Sequence, residues 1–190
     1  MDKRKILGFI IFDILFLAII LGFLYYSGFF SPVNIKEEVK GPHKLVYEEH
    51  TGPYRGIKEV NEKVFKSLRD DKIHTHRGFG IYYDNPKEVP EAELKSIGGC
   101  IVEIKDYSRI EELKDRYNTK NHPEKHSIVV EFPFTTPLSI MAGIMKVYPE
   151  LENYLKSNGY KQAPVMEIYD IPAKKIEYII PVVKEIDENL

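Results

Sequence analysis

The feature that most constrains this chain is an apolar run of 21 residues near its N-terminus, ILGFIIFDILFLAIILGFLYY at residues 6–26. As an α-helix, with a rise of about 1.5 Å per residue, the run would extend roughly 31 Å, close to the hydrocarbon thickness of a bilayer. It holds one charged side chain, Asp13, and the sequence after it is polar and mixed in charge. We therefore predict a membrane anchor over residues 1–30, which contacts the lipid bilayer through residues 6–26.

A cleaved signal peptide is the alternative, but its apolar core is usually only about 7–15 residues long. This run is longer and ends in aromatic residues rather than in a small-x-small cleavage site: Tyr25, Tyr26, Phe29 and Phe30. Such rings favour the headgroup level of a membrane. The sequence therefore predicts an uncleaved, single-pass anchor.

Asp13 lies inside the predicted span, where a carboxylate costs roughly 2.5–3.5 kcal/mol on insertion scales. We expect it to be protonated or to reach the nearer headgroups. A contact with a second helix inside the membrane is the alternative.

Basic residues predict the orientation of the anchor. Lys3, Arg4 and Lys5 precede the run, and the first basic residues after it are Lys36 and Lys40. Because Lys and Arg accumulate on cytoplasmic flanks, the domain is expected on the non-cytoplasmic side, although short N-terminal tails can invert this arrangement.

The composition of residues 31–190 suits one domain of ordinary size. Removing the charges before residue 31 leaves 24 basic and 27 acidic side chains, a net charge of −3. Nucleic-acid binding has no electrostatic footprint in such a sequence. The single cysteine, Cys100, excludes an intrachain disulfide. We predict a polar juxtamembrane linker over residues 31–42 and one domain over residues 43–190.

Within that domain the order strand, helix, strand, strand is predicted twice. The first set is residues 44–50, 55–68, 78–83 and 100–104, and the second is 127–134, 138–157, 165–169 and 176–183. The predicted fold is α+β, with a duplicated strand–helix–strand–strand unit whose helices cover one face of a shared antiparallel sheet. The other face, or the groove between the halves, would be left for a ligand.

Local residues refine these boundaries. A further helix is predicted over residues 108–117, with Ser108 and Glu111 as a capping box. For the helix at 138–157, Thr136 is the expected N-cap, the sequence Asn158-Gly159 predicts its end, and Pro149 predicts a kink or a restart.

Four motifs occur in a telling order: FGIYYDNP at 79–86, FPF at 132–134 before LSI at 138–140, YP at 148–149, and MEIYD at 166–170. Together they resemble the GyrI-like small-molecule-binding domain family. Within it, the chain is most similar to the membrane-anchored branch typified by a testis-expressed ER-phagy receptor. The resemblance implies a pocket between two pseudo-symmetric halves that accepts lipophilic, often cationic, small molecules.

Tyrosine and glutamate residues could build such a pocket. Glu167 and Tyr169 are two apart on one predicted strand and therefore share a face. A carboxylate in an aromatic cavity is costly unless a cation or hydrogen-bond donors satisfy it, and aromatic faces attract cations. We predict a ligand site formed by Glu167 and Tyr169, with Tyr54 and Tyr83 as walls. The alternative is that Met166 and Ile168 point inward and Glu167 is solvated.

Two other functions stay open at this stage. The resemblance extends to members that hydrolyse strained, reactive xenobiotics, and Glu167 with Tyr169 or Tyr83 could supply general acid–base groups for such a reaction. The domain could also be an adaptor that binds a protein partner. Binding of a small molecule is favoured over enzymatic activity, which the sequence leaves uncertain.

Other reactive side chains give weaker patterns. His74 with His76, and His122 with His126, lack a carboxylate or thiol placed to complete a metal site. Cys100 lies in an apolar strand and suits the core. The sequence therefore predicts neither a metal site nor a cofactor.

Overall fold

The apolar run forms one helix, α1 (Lys3–Tyr26), in the computed structural model, which describes residues 3–183. The end of α1 is a Schellman motif: the Gly28 N–H donates to Tyr25 O, the Phe29 N–H donates to Leu24 O, and Gly28 has φ of +91°. The stretch Arg4–Tyr26 is long and apolar enough to cross a membrane, and none of it is buried inside the protein. A signal sequence would meet the same criteria of length and composition. The last residues of the predicted domain, 184–190, lie outside the described part.

The rest of the described chain is built on one eight-stranded sheet in which every neighbouring pair is antiparallel. Its strands are β1 (Ile35–Lys40), β2 (His43–Thr51), β3 (Arg77–Tyr82), β4 (Lys95–Val102), β5 (Asn118–His122), β6 (Lys125–Pro133), β7 (Val165–Asp170) and β8 (Lys175–Pro181). Across the sheet their order is β1, β6, β8, β7, β3, β4, β2, β5.

Three further helices follow α1: α2 (Ile57–Asp70), α3 (Ile110–Lys114) and α4 (Leu138–Ser157). The predicted duplication is confirmed, because β2–α2–β3–β4 and β6–α4–β7–β8 have the same order of elements. We call these units the first half and the second half. They meet where β3 pairs with β7, in the middle of the sheet.

Both edges of the sheet differ from the sequence-based expectation. The predicted linker, residues 31–42, contains β1, which pairs with β6 from Ile35↔Val130 to Lys40↔Lys125, so the sheet begins before residue 43. The strand β5, which was not predicted, pairs with β2 at the opposite edge. Charged and polar residues are common on edge strands, where they discourage further pairing. For that reason neither edge strand shows strong apolar alternation.

The predicted helix at 108–117 is wrong in length and in its cap. A 3₁₀ turn occupies Ile104–Arg109, and α3 follows with Arg109 as its N-cap and no capping side-chain hydrogen bond. Arg116 donates to Asp71 Oδ1 at 2.6 Å, and the Tyr117 hydroxyl donates to Asp71 Oδ2. These long-range contacts tie residues 116–117 to the end of α2.

The helix α4 has the predicted bounds and runs through Pro149. Its N-cap is Pro137 rather than Thr136, and the Ser139 hydroxyl accepts the N–H groups of Thr135 and Thr136, at 3.2 Å each. Gly159 follows the helix with φ of +67°, as the Asn158-Gly159 sequence predicts.

Both large helices lie on one face of the sheet. The helix α4 packs on β6 and β8, while α2 and α3 pack on β2 and β4. The opposite face carries a third cluster, which includes Phe79, Met166 and Ile168. Since β3 and β7 lie between the two helix-covered regions, a groove forms over the strands where the halves meet.

Candidate functional site

A cavity of about 1240 Å³ occupies this groove. Its floor is formed by β3 and β7, and its walls by α2, by α4 and by the segments that follow β3 and β6. The volume is large enough for a drug-sized ligand.

The register of the sheet determines what forms the floor. One row of directly paired residues runs Gly98, Gly80, Glu167, Tyr178 from the first half to the second. The two glycines leave room for neighbouring side chains on one side of Glu167. A Cβ on Gly80 would lie 2.7 Å from the Tyr82 hydroxyl oxygen, and a Cβ on Gly98 would lie 2.7 Å from Asn61 Oδ1. The missing side chains therefore allow Tyr82 and Asn61 to lie against the sheet.

Glu167 is the buried charged group of the floor, with 3% of its surface exposed. The Tyr148 hydroxyl donates to Glu167 Oε1 at 2.6 Å, and the Tyr169 hydroxyl donates to Oε2. The Tyr82 and Tyr169 hydroxyl oxygens are 3.2 Å apart. Within residues 3–183, no Lys, Arg or His forms an ion pair with Glu167. Two tyrosine donors thus hold the carboxylate without neutralising its charge.

Burial controls the protonation of this cluster. It raises the pKa of Glu167, and the two tyrosine hydrogen bonds oppose part of that rise. Burial, and then the charge of Glu167, raise the pKa values of Tyr148 and Tyr169 well above 10. Both hydroxyls therefore stay protonated near neutral pH and act as donors. An ionised Glu167 leaves this cavity with an uncompensated negative charge.

All four residues predicted to bind a ligand line the cavity: Glu167, Tyr169, Tyr54 and Tyr83. The Tyr54 ring packs edge-on against Tyr82, with 4.7 Å between the ring centroids. The Tyr54 hydroxyl donates to the backbone carbonyl of Asp84 at 2.8 Å. Tyr83 lies on the rim with 41% of its surface exposed. Tyr54 and Tyr83 therefore form walls, while Glu167 and Tyr169 form the floor.

The solvated alternative for Glu167 does not hold. Met166 and Ile168 point to the opposite face of the sheet and are buried there, and Glu167 is buried as well. Strand alternation alone is compatible with an inward-facing Glu167 or with inward-facing apolar neighbours. The structure buries both faces.

Sequence reasoning missed Tyr148 and Tyr82. Tyr148 continues a helical stripe from Ile140 and Ile144 at spacings of four, and all three line the cavity. Tyr82 alternates with Gly78 and Gly80 on β3, so it lies on the face that holds the site. Both patterns are visible in the sequence once the helix and the strand are placed.

Of the other reactive side chains, His76 and Cys100 also line the cavity. Across the described residues, no three His, Cys, Asp or Glu side chains form a group that could hold a metal ion. His76 lies 3.5 Å from Glu103, which also pairs with Arg77 at 2.7 Å. Burial raises the pKa of the Cys100 thiol to about 12, so Cys100 is a core residue and not a nucleophile. Asp13, within the apolar stretch, is exposed on α1.

Comparison with known families and proteins bears on this site. The model of a family described as GyrI-like small molecule binding domain matches residues 34–183. The human protein "Testis-expressed protein 264" is 27% identical over 183 residues, covering 92% of this chain and 56% of that protein. Its mouse homolog is 31% identical over 117 residues, covering 58% of this chain and 37% of that protein. The chain thus spans about half the length, or less, of these relatives.

Solved structures share the fold. The C-terminal domain of EcmrR matches with a TM-score of 0.57 at 12% identity, covering 80% of this chain and 99% of that domain. SAV2435 bound to tetraphenylphosphonium matches with a TM-score of 0.53, also at 12% identity, covering 80% of this chain and 94% of SAV2435. Identities this low establish the shared fold alone.

Proposed function

This chain belongs to the GyrI-like small-molecule-binding domain family, and from that premise we propose that its cavity binds lipophilic organic cations beside a membrane. The observation that carries the proposal is Glu167, a buried carboxylate on the floor of a large cavity whose partners among residues 3–183 are hydrogen-bond donors and no cation. A buried carboxylate without a counter-charge is costly. A cationic ligand would offset that cost.

The walls suit the rest of such a ligand. Tyr54, Tyr82, Phe134 and Tyr169 contribute aromatic surface to the cavity, and aromatic faces attract cations within about 6 Å. SAV2435, which shares the fold, is known bound to tetraphenylphosphonium, a lipophilic cation. That ligand class therefore gives the first probe for this chain.

The proposal includes the tether. We propose that α1 spans a bilayer through residues 6–26, with Asp13 inside the span and the domain on the non-cytoplasmic side. None of the candidate span is buried against the domain, as expected of a helix whose surface contacts lipid. Lipophilic cations partition into membranes, so the tether would place the cavity beside the pool of ligand.

The test is equilibrium dialysis of radiolabelled tetraphenylphosphonium against the full chain in phosphatidylcholine nanodiscs, with empty nanodiscs as background. Tetraphenylborate, an anion of similar shape, controls for lipophilicity. We expect saturable binding of the cation and little of the anion. Glu167→Gln should weaken cation binding at least about tenfold, which corresponds to about 1.4 kcal/mol.

A matched substitution distinguishes the buried charge from a general electrostatic effect. Glu62 also lines the cavity but is exposed on α2. Glu62→Gln should change the affinity less than about twofold, because water screens an exposed charge. Equal affinity of the wild type and Glu167→Gln would overturn the proposal, and so would no wild-type binding above the empty nanodisc.

A further inference from the structure

The end of α1 is fastened to the helix that forms one wall of the cavity. The Thr136 hydroxyl donates to Ser27 Oγ at 2.9 Å, and the Thr135 hydroxyl donates to the carbonyl of Tyr26. Lys146 Nζ donates to the carbonyls of Phe29, at 2.9 Å, and Ser31. Ser27 is fully buried at this joint. Residues 26–31, at and just after the end of α1, therefore contact the segment that leads into α4 and Lys146 on α4.

The turn between β7 and β8 lies against the same segment before α4. The Phe134 N–H donates to the carbonyl of Lys174 at 2.8 Å, next to Thr135. We call this end of the domain the anchored end. It is defined by Thr135, Thr136, the first two turns of α4, and residues 171–174.

Large apolar side chains are exposed at the anchored end. Met141 is 47% exposed, Ile144 52%, Met145 63% and Ile171 63%. Ile144 and Ile171 also line the cavity, so part of its rim is apolar here. Tyr25 and Tyr26, in the last turn of α1, and Phe30, just after it, are exposed as well.

The opposite end of the cavity is charged. There Lys87 pairs with Glu152 at 3.0 Å, and Arg55 pairs with Glu91 at 3.1 Å. All four residues line the cavity. Its rim therefore carries exposed apolar side chains, beside His76, near the joint with α1, and ion pairs at the other end.

We propose that the anchored end rests on a phospholipid bilayer, with Met141, Ile144, Met145 and Ile171 among the headgroups, so that the apolar rim of the cavity opens onto lipid. This inference rests on the proposed function in one respect, that α1 spans the membrane. The aromatic end of a span lies at the headgroup level, and the hydrogen bonds from Thr135 and Thr136 hold α4 at that level. Apolar side chains of a membrane-bound surface enter the boundary region by about 5–10 Å.

The bilayer explains the pattern better than a protein partner does. The exposed apolar side chains are continuous with the end of α1, and the charged rim faces away from it. A ligand dissolved in the membrane could then pass Ile144 and Ile140 into the cavity without crossing water.

Depth-dependent quenching tests the proposal. A nitrobenzoxadiazole label is attached in turn to Met145→Cys, Ile171→Cys, Glu91→Cys at the charged rim, and Leu17→Cys inside α1. Buried Cys100 should not compete for the label. The full chain is reconstituted in phosphatidylcholine vesicles without doxyl lipid, with 5-doxyl lipid, or with 16-doxyl lipid, whose nitroxides lie near the headgroups and near the bilayer centre respectively. We expect blue-shifted emission and loss of intensity with doxyl lipid at positions 145, 171 and 17, and neither change at position 91.

The labels separate this inference from the proposed function. Quenching at position 17 without quenching at 145 and 171 would overturn the membrane contact and leave the anchor intact. No quenching at position 17 would overturn the anchor itself. Quenching at position 91 as strong as at 145 would overturn the proposed orientation.

A charge substitution provides a second test of the membrane contact. Met141→Glu with Met145→Glu places two carboxylates on this surface, and neither residue lines the cavity. We expect the label at position 171 to lose its doxyl quenching while the label at position 17 keeps it. Unchanged quenching at position 171 would contradict a contact made through α4.

Discussion

The two halves of the domain share one order of elements but contribute different things to the cavity. The first half supplies space: Gly80 and Gly98 lie on its strands without side chains, so that Tyr82 and Asn61 can lie against them and line the cavity. The second half supplies the charge and its donors, with Glu167 and Tyr169 on β7 and Tyr148 on α4. The duplicated elements thus form a groove with two similar sides, and the side chains on those two sides differ.

This difference predicts the orientation of a ligand. The cationic centre should lie toward the second half, near Glu167, and apolar groups should lie toward the first half, against the rings of Tyr54 and Tyr82. A half packed around a buried charge and a half with glycines in its strands should also respond differently to substitution. The following experiments test that contrast.

The largest expected effect comes from adding one methyl group in each half. A Cβ on Gly143, in α4, would lie 2.1 Å from the hydroxyl oxygen of Tyr178, which is fully buried. Gly143→Ala should therefore destabilise the domain by about 3 kcal/mol, the upper end for overpacking. Gly80→Ala should cost only about 1 kcal/mol, because Tyr82 can move into the cavity. Urea unfolding of the full chain in detergent, followed by circular dichroism, measures both.

A rescue variant checks the cause. The Tyr178 hydroxyl has no hydrogen-bond partner among the described residues, so Tyr178→Phe alone should be nearly neutral. In combination with Gly143→Ala it should restore most of the lost stability. Equal costs for the two glycine substitutions would show that the halves are packed alike.

The second effect concerns the cost of the buried charge. Glu167→Gln should raise the free energy of unfolding at pH 7 by about 2 kcal/mol in the absence of ligand, because an unpaired buried charge is removed. The amide can still accept from one tyrosine and donate to the other. Thermal unfolding of both proteins over a range of pH measures the difference.

The sign of the pH dependence follows from the raised pKa of Glu167. A carboxyl group whose pKa is higher when folded contributes stability that is present below its unfolded pKa and is lost as pH rises through the folded value. The gap between the variant and the wild type should therefore close as pH falls toward 4.5, the ordinary value. A gap that is constant with pH would show that the gain has another origin.

Local sequence patterns predicted the fold, and the errors in that prediction have physical causes. The bounds of α4 were correct because Pro137 and the Asn158-Gly159 stop act within a turn or two of the chain. The edge strands β1 and β5 were missed because pairing with distant strands, rather than apolar alternation, defines them. The capping box at Ser108 failed for a similar reason, since Arg116 and Tyr117 bind Asp71, more than 40 residues away.

The candidate site was predictable in part. Alternation placed Glu167 and Tyr169 on one face, and the family resemblance suggested which face holds the cavity. Tyr148 contacts Glu167 from a helix 19 residues earlier, and Tyr82 contacts Tyr169 across 87 residues, so local pattern could not join them. That these residues bind a ligand stays a prediction.

A third, smaller effect tests the polar group of the open half. Asn61 Oδ1 is buried without a hydrogen-bond partner in the described part of the chain. Asn61→Leu keeps the approximate volume and should raise the free energy of unfolding by about 1 kcal/mol. Urea unfolding measures the stability, and dialysis should show cation affinity unchanged or improved. A loss of affinity would reveal Asn61 as a ligand contact and make the first half more than a wall.

The smallest expected effect tests whether the halves move as one body. Glu152, on α4, accepts hydrogen bonds from Lys156, one turn along the same helix, and from Lys87, in the first half. The pair with Lys156, and then the pair with Lys87, lower the pKa of Glu152 to about 2. A depressed pKa means that these pairs contribute stability above the ordinary value of 4.5, which is lost as pH falls toward about 2.

If the halves are rigidly joined, Lys87→Gln should raise the pKa of Glu152 nearly as much as Lys156→Gln does, measured by carbon NMR titration. If the groove opens and closes, the pair across the halves is broken for part of the time, and Lys87→Gln should shift that pKa much less. Saturating tetraphenylphosphonium would then strengthen the effect of Lys87→Gln, because a bound ligand that bridges the halves holds the groove closed.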